Sequence, residues 1–401
     1  MFIKKNHIVV IFIISLFFIG TITSCRKNNT QQTNLNLTQL TADGLSGDLA
    51  KGVSASYAAL IDGKLIVAGG ANFPDKLGFE GGSKVFYDEI MLFDEAQNVW
   101  RQIGKLPQKS AYGVSVPVSD GTLWIGGNTA NESLPNCYKV TLAKNDSLKL
   151  EPFVSLPATM DNLYGCSIND VIFVGGGVEN GNPSNSLYCI NAKTDTAWTK
   201  LPNFPGNPRV QPVMAAIEKE GKTFVYLLGG FFGGNATEKP AMATDVLRYD
   251  VLSQKWKKVS EQIDPETQKP FSLGGATAMA FDDRYILCLG GVNHAVFLDA
   301  ITTLYNIGND NATSVEEKKQ KNLDFSKNYM TQPIEYYKFN PECRVLDSET
   351  NVWTTINTTQ DVARAGATLV YNGKDFYAVQ GELKPGVRSA ITIKGIIEKQ
   401  Q

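Results

Sequence analysis

Histidine is nearly absent from this 401-residue chain: only His7 and His294 occur. His7 sits in an apolar leader, so His294 stands alone in the rest of the sequence. A Ser-His-Asp triad or a site of several histidine ligands is therefore excluded as an expectation. No two of the six cysteines have CxxC spacing, which removes the common redox and zinc patterns. Net charge is only −2, and no dense Lys/Arg stripe appears outside Glu316–Lys321, so nucleic acid is not an expected partner. No phosphate-binding loop or dinucleotide glycine fingerprint lies in a βαβ context. No metal and no cofactor is expected. Chemistry here must come from carboxylates, lysine, arginine, tyrosine and amides.

The N-terminus reads as a targeting segment. Lys4 and Lys5 precede an apolar run from Ile8 to Gly20, too short for a comfortable span, and "TITSC" places small residues before Cys25. This resembles a bacterial lipobox, which implies a signal peptide over residues 1–25, a lipidated Cys25 and a membrane anchor. Ordinary signal cleavage and an uncleaved anchor are the alternatives. Residues 26–40 are polar at first and are assigned to a flexible tether, with the folded domain spanning 41–401. The expected location is outside the cytoplasm, with the anchored protein facing the periplasm or the cell surface. The remaining cysteines, Cys137, Cys166, Cys189, Cys288 and Cys343, are odd in number and are read as small buried thiols.

Glycine is abundant, with 36 residues, and it falls at intervals. Six segments share one pattern: small residues, an apolar strand, a tight polar turn, a second apolar strand, then glycine. They end at Gly70, Gly127, Gly177, Gly230, Gly291 and Gly381. Five close in Gly-Gly, whereas the sixth closes in Gln380-Gly381. Trp100, Trp198, Trp256 and Trp353 occupy one equivalent place further along, suited to packing between neighbouring sheets. Period and motif resemble the kelch repeat. That implies an all-β, six-bladed kelch-type β-propeller, with the last blade completed by an N-terminal strand around "NLTQLTADG". Blade six is expected to use Gly366–Asn372, Asp375–Gly381 and Arg388–Ile396. Between Gly291 and Trp353 lies a long polar, partly helical insert in blade five, expected to act as a lid on the channel face.

After Gly381 the chain adds "ELKPGVRSA". Glu382 follows a strand that ends near the centre of a propeller, and Pro385-Gly386 turns the chain so that Arg388 points back toward the same mouth. Such a pair suits an anionic sugar, the guanidinium holding a carboxylate and Glu382 moving a proton. A plain surface ion pair across a hairpin is the alternative from the motif alone.

"GELKPGVRSA", "NFPGNPRVQP" and "LGGVNHAVF" resemble segments of the bacterial N-acetylneuraminate epimerases, or sialic acid mutarotases. "GANF" and "AYGVSVP" also match, but they lie early here and late in the family, as in its cyclically permuted members. The resemblance implies a cofactor-free isomerase acting on a small acidic sugar, sialic acid, by ring opening and reclosure. It implies catalytic roles for Glu382 and Arg388, and substrate contacts from Arg209, Lys384 and Asn293. His294 departs from the family pattern. For the second proton donor, Tyr112, Lys384 and water are the candidates. A non-catalytic kelch module that binds glycans or proteins at the cell surface is the competing function.

Overall fold

A computed structural model describes residues 33–144 and 146–399. Cys25 and the whole expected signal segment lie outside the described residues. Among these residues are six four-stranded antiparallel sheets. In the first, Tyr57–Ile61, Lys64–Ala68, Glu89–Asp94 and Val99–Lys105 lie side by side. Four more sheets follow in the same order, each from four strands taken in chain order, with short separate strands inserted in two of them. The sixth contains Thr368–Asn372, Asp375–Val379 and Ile393–Lys399, and Thr33–Gln39 pairs with the last of these. The fold is all-β and propeller-like.

Each sheet is apolar on both faces near its inner strands, so each must bury both. Six clusters of buried side chains do so, one between each successive pair of sheets. Val213, Ile217 and Tyr226 pack on Ile286, Cys288 and Trp353. At the join of the chain's two ends, Val370, Tyr377 and Val379 pack on Ala58, Leu65 and Trp100.

Inner strands meet through a closed cycle of backbone hydrogen bonds. The N–H of Ala55 donates to the carbonyl of Gly366, Tyr112 to Ala55, Asn162 to Tyr112, Gln211 to Asn162, Gly275 to Gln211, and Gly366 to Gly275. The six bonds measure 2.7–3.1 Å. All six residues have φ between +49° and +68°. That conformation is easy for glycine and costs about 1–2 kcal/mol for an ordinary side chain. The cost is accepted here because each bond satisfies a backbone donor that would otherwise be buried alone.

The paired glycines have a matching role at the edge of each sheet. A Cβ on Gly69 would stand 2.4 Å from the Ser110 carbonyl oxygen, and one on Gly290 would stand 2.3 Å from that of Arg364. The strand of one sheet and the entry to the next therefore touch backbone to backbone. On the outer strands the four repeating tryptophans do similar work. The indole N–H of Trp100, Trp198, Trp256 and Trp353 donates to the carbonyls of Thr41, Val154, Pro202 and Glu261, each just past or at the end of the preceding outer strand.

Two boundaries differ from the sequence reading. The N-terminal strand expected around residues 36–44 completes the sixth sheet but starts earlier, at Thr33–Gln39, within the stretch assigned to the tether; Leu35 and Leu37 alternate with polar residues and pack beside Phe376 and Ile397. Arg388 does not begin the third strand of the last sheet. It belongs to a separate short hairpin, and the long strand starts at Ile393. Three helices lie between the second and third strands of the fifth sheet: α1 (His294–Asn309), α2 (Val315–Met330) and α3 (Ile334–Tyr337). Asn293 caps α1, its side-chain oxygen accepting from Ala295 and Val296 N–H. Ser314 and Glu317 form a capping box on α2. No helix among the described residues is long and apolar enough to cross a membrane. Burial pushes the thiols of Cys137 and Cys343 up to about 12, and all five described cysteines are unpaired.

Candidate active site

Pro385-Gly386 folds residues 382–388 into a hairpin whose register sets Glu382 directly opposite Arg388. Opposed residues in an antiparallel pair share one face. Both side chains accordingly reach one cavity of about 1040 Å³, part of it open to solvent. The Glu382 backbone exchanges two hydrogen bonds with Ala365, next to Gly366 of the hydrogen-bond cycle, which ties the hairpin to that cycle.

The two charged groups are unequally exposed. Arg388 keeps only 4% of its side-chain surface, against 24% for Glu382. Arg388 Nη1 lies 3.0 Å from Glu382 Oε1 as an ion pair, and that nitrogen makes no hydrogen bond to an acceptor among the described residues. Arg388 Nε donates to Ser54 Oγ at 3.2 Å, and the guanidinium sits 5.4 Å from the Phe73 ring centre. Glu382 Oε1 instead accepts the Gly386 N–H at 2.9 Å. A buried guanidinium with an uncommitted donor is costly unless something completes it. A substrate carboxylate is the natural complement, since arginine binds that group with two parallel bonds.

Other walls of the cavity come from several sheets. Tyr112, Asn162 and Gln211, all members of the axial cycle, line it and also line a second cavity deeper along the axis. Gln211 Nε2 donates to Asn162 Oδ1 at 2.8 Å. Lys84 enters from the first sheet's loop, and Asn128 from the second's. Phe73, Phe231, Val292, Phe297 and Met330 supply apolar surface, the last two from α1 and α2. Among the described lining residues Lys84 and Arg388 outnumber Glu382, so the cavity favours an anion.

The remaining candidates lie elsewhere. Lys384 turns away from the cavity wall: its ammonium donates to the carbonyls of Met330 and Gln332 at 3.2 and 2.6 Å, tying the end of α2 to the hairpin. Asn293 is spent on capping α1. Arg209 lines a different cavity with Thr244, Lys258 and Glu261, and its Nη2 holds both oxygens of Asp245 at 2.7 and 2.9 Å. Glu382 and Arg388 are thus brought together, whereas Arg209, Lys384 and Asn293 are not lining residues of their cavity. Sequence reading missed Lys84, Asn162 and Gln211 as site residues. Asn162 carried one usable signal, since asparagine tolerates positive φ at the start of a repeat.

Comparison with known proteins gives a consistent result. The chain is 28% identical over 250 residues to an N-acetylneuraminate epimerase of Haemophilus influenzae (strain PittEE), covering 62% of this chain and 60% of that one. It is 26% identical over 268 residues to an N-acetylneuraminate epimerase of Yersinia pestis (strain Pestoides F), covering 66% and 60%. The chain thus spans about 60% of the length of these curated relatives. A solved structure titled "Structure of YjhT" aligns with a TM-score of 0.49 at 23% identity, over 61% of this chain and 66% of that one. The family model described as N-acetylneuraminate epimerase matches residues 20–150 and 153–401, and the chain belongs to the N-acetylneuraminate epimerase family.

Proposed function

We propose that the protein is a six-bladed kelch propeller that interconverts the α- and β-anomers of N-acetylneuraminate in its axial cavity. The observation that carries this reading is the buried Arg388, whose Nη1 makes no hydrogen bond, beside the partly exposed Glu382. Six sheets, six intervening apolar clusters and the six-membered hydrogen-bond cycle support the blade count. The family match breaks at residues 150–153, near the end of the second sheet. A break there, with partial coverage of the relatives, suits a ring whose chain is cut at a different blade.

In this mechanism Arg388 holds the sugar carboxylate, which fixes the adjacent anomeric carbon near Glu382. Glu382 takes the proton of the anomeric hydroxyl. The bond from the anomeric carbon to the ring oxygen breaks, leaving a ketone, and the ring oxygen gains a proton. Rotation about the bond to the former anomeric carbon presents the other face. Reclosure reverses the proton transfers and gives the other anomer. No redox change occurs. The apolar wall from Phe297 and Met330 limits water around the open-chain ketone. The protein is further proposed to be exported and held on a membrane through a lipid on Cys25.

The test is proton NMR of freshly dissolved sialic acid with and without the protein. Faster approach to anomeric equilibrium is expected, and its loss in Glu382→Gln with an unchanged melting temperature. Saturable binding without faster exchange would favour a non-catalytic glycan-binding module instead.

A further inference from the structure

Ring opening needs a proton on the ring oxygen as well as a base for the hydroxyl. Few lining groups can supply one. Asn128, Asn162 and Gln211 are amides, and Ser54 Oγ accepts from Arg388 while lying 3.3 Å from the Ala71 carbonyl as a donor. Lys384, a candidate from the sequence, has its ammonium committed to the end of α2. That leaves the Tyr112 phenol and the Lys84 ammonium, which are joined: Lys84 Nζ donates to Tyr112 Oη at 3.0 Å and lies 4.8 Å from the centre of its ring.

We propose that Tyr112 is the second catalytic residue of this site, the acid that protonates the sugar's ring oxygen, and that Lys84 is its positioning residue. The inference rests on the mutarotase reading above. An ammonium has no lone pair, so at this contact the phenol oxygen must accept. The phenolic proton is then free, and no acceptor for it is found among the described residues. The Lys84 contact also fixes where the phenol oxygen sits on the cavity wall.

Tyr112 is also held firmly. Its φ is +61°, unusual for a bulky residue, and such outliers persist where the surroundings over-determine them. Its N–H donates to Ala55 and its carbonyl accepts from Asn162, so both ends of the residue are locked in the axial cycle. Phe86 packs 6.3 Å from its ring. Glu382 and Tyr112 approach the cavity from different sheets, as a base and an acid acting on two oxygens of one sugar must.

The proton count closes. Glu382 gains the hydroxyl proton and Tyr112 loses its own to the ring oxygen. On reclosure the new ring-forming hydroxyl returns a proton to the Tyr112 phenolate, and protonated Glu382 returns one to the former carbonyl oxygen. Both residues end as they began.

The experiment measures anomer-exchange rates by NMR for the wild type, Glu382→Gln, Tyr112→Phe, Lys84→Met and Lys84→Arg, with melting temperatures alongside. Loss of general acid catalysis lowers rates by about 10²–10⁴-fold. Tyr112→Phe is expected to lower kcat by at least about 100-fold, with KM within about 2-fold and melting unchanged. Lys84→Met is expected to lower kcat and Lys84→Arg to restore most of it, a rescue that a merely structural lysine would not show. If Glu382→Gln is inactive while Tyr112→Phe keeps more than half the wild-type kcat, the role of Tyr112 is overturned and the mutarotase reading survives. If the wild type does not speed exchange at all, both fall together. Should Tyr112→Phe melt early, the Lys84 pair decides: equal rates in wild type and Lys84→Met overturn the proposal.

Discussion

Arg388 and Glu382 stand 3.0 Å apart without sharing a hydrogen bond. An ordinary ion pair would rotate to make one. Here the carboxylate oxygen is turned to the Gly386 N–H, and the guanidinium is pinned through Nε to Ser54. Arg388→Lys keeps the charge but loses the fork. Hydrogen bonds to charged groups contribute about 1.5–3 kcal/mol, so kcat/KM for anomer exchange is expected to fall by about 10- to 100-fold. A KM titration by NMR checks this. A change within about 2-fold would show that the arginine does not grip the substrate.

Gln380 answers why one repeat lacks its first glycine. It has φ +49°, as the glycines it replaces do, but its side-chain oxygen accepts the buried N–H of Val53 at 2.8 Å. Gln380→Ala keeps the strained backbone and orphans that donor, so a loss of about 1–3 kcal/mol is expected. Gln380→Gly orphans it too but relieves roughly 1–2 kcal/mol of strain. Urea unfolding should therefore rank the three as wild type, then Gly, then Ala. Alanine matching wild type would mean that the bond to Val53 contributes nothing.

The glycines themselves divide by what faces them. Gly290 meets the Arg364 backbone, whereas Gly373 has open space and φ +61°. Gly373→Ala should cost about 1–2 kcal/mol from conformation alone. Gly290→Ala should cost more, by a further 1–3 kcal/mol or so, because backbone must shift. Equal losses in thermal unfolding would show that close approach is not what the paired glycines provide.

Repetition made the scaffold legible. Apolar strand pairs, glycine endings and spaced tryptophans are local signals, and six copies reinforce one another. Glu382 and Arg388 were legible for the same reason, as a departure from the repeat with a Pro-Gly turn between them. The axial cycle was not. Its six positions hold Ala55, Tyr112, Asn162, Gln211, Gly275 and Gly366, which share a backbone conformation rather than a residue type. Lys84 was hidden because its partner, Tyr112, lies at the entry to the next sheet, so the pair forms only once the two sheets pack together. Lys384 differs for a related reason: the family resemblance implied a substrate contact, and its partners are helix-end carbonyls more than fifty residues away in sequence. The closing N-terminal strand was expected around residues 36–44, yet its first residues, 33–35, were assigned to the tether, because only two leucines mark its apolar face and the long strand that it covers lies at the other end of the chain.

That pairing has a consequence for truncation. Removing residues 1–32 leaves the outer strand of the sixth sheet in place. Removing residues 1–41 strips it, exposes the edge of Ile393–Lys399, uncovers Ile397 and deletes the Thr41 carbonyl that Trp100 engages. Exposed edges pair with other chains. The longer truncation should melt several degrees lower than the shorter and associate on light scattering, whereas the shorter should stay monodisperse. Equal behaviour would mean that the ring closes without its N-terminal strand.

Asp264 sets an acid limit on stability. Burial tends to push its carboxyl up, but hydrogen bonds from the Thr267 N–H, Arg344 and the Thr267 hydroxyl outweigh this and hold it at about 2. Arg344 Nη2 lies 2.9 Å from it, and Arg344 itself is nearly buried. The folded value is depressed below that of the unfolded chain, near 4, so this stabilisation is present in full above about pH 4. It is lost as pH falls toward 2, where the carboxylate takes up its proton and leaves Arg344 with Glu342 alone. Asp264→Asn should therefore lower stability at pH 6 and flatten the dependence between pH 4 and 2, seen as converging urea midpoints for variant and wild type. Parallel curves across that window would remove Asp264 from the acid limb and shift attention to the other paired carboxylates.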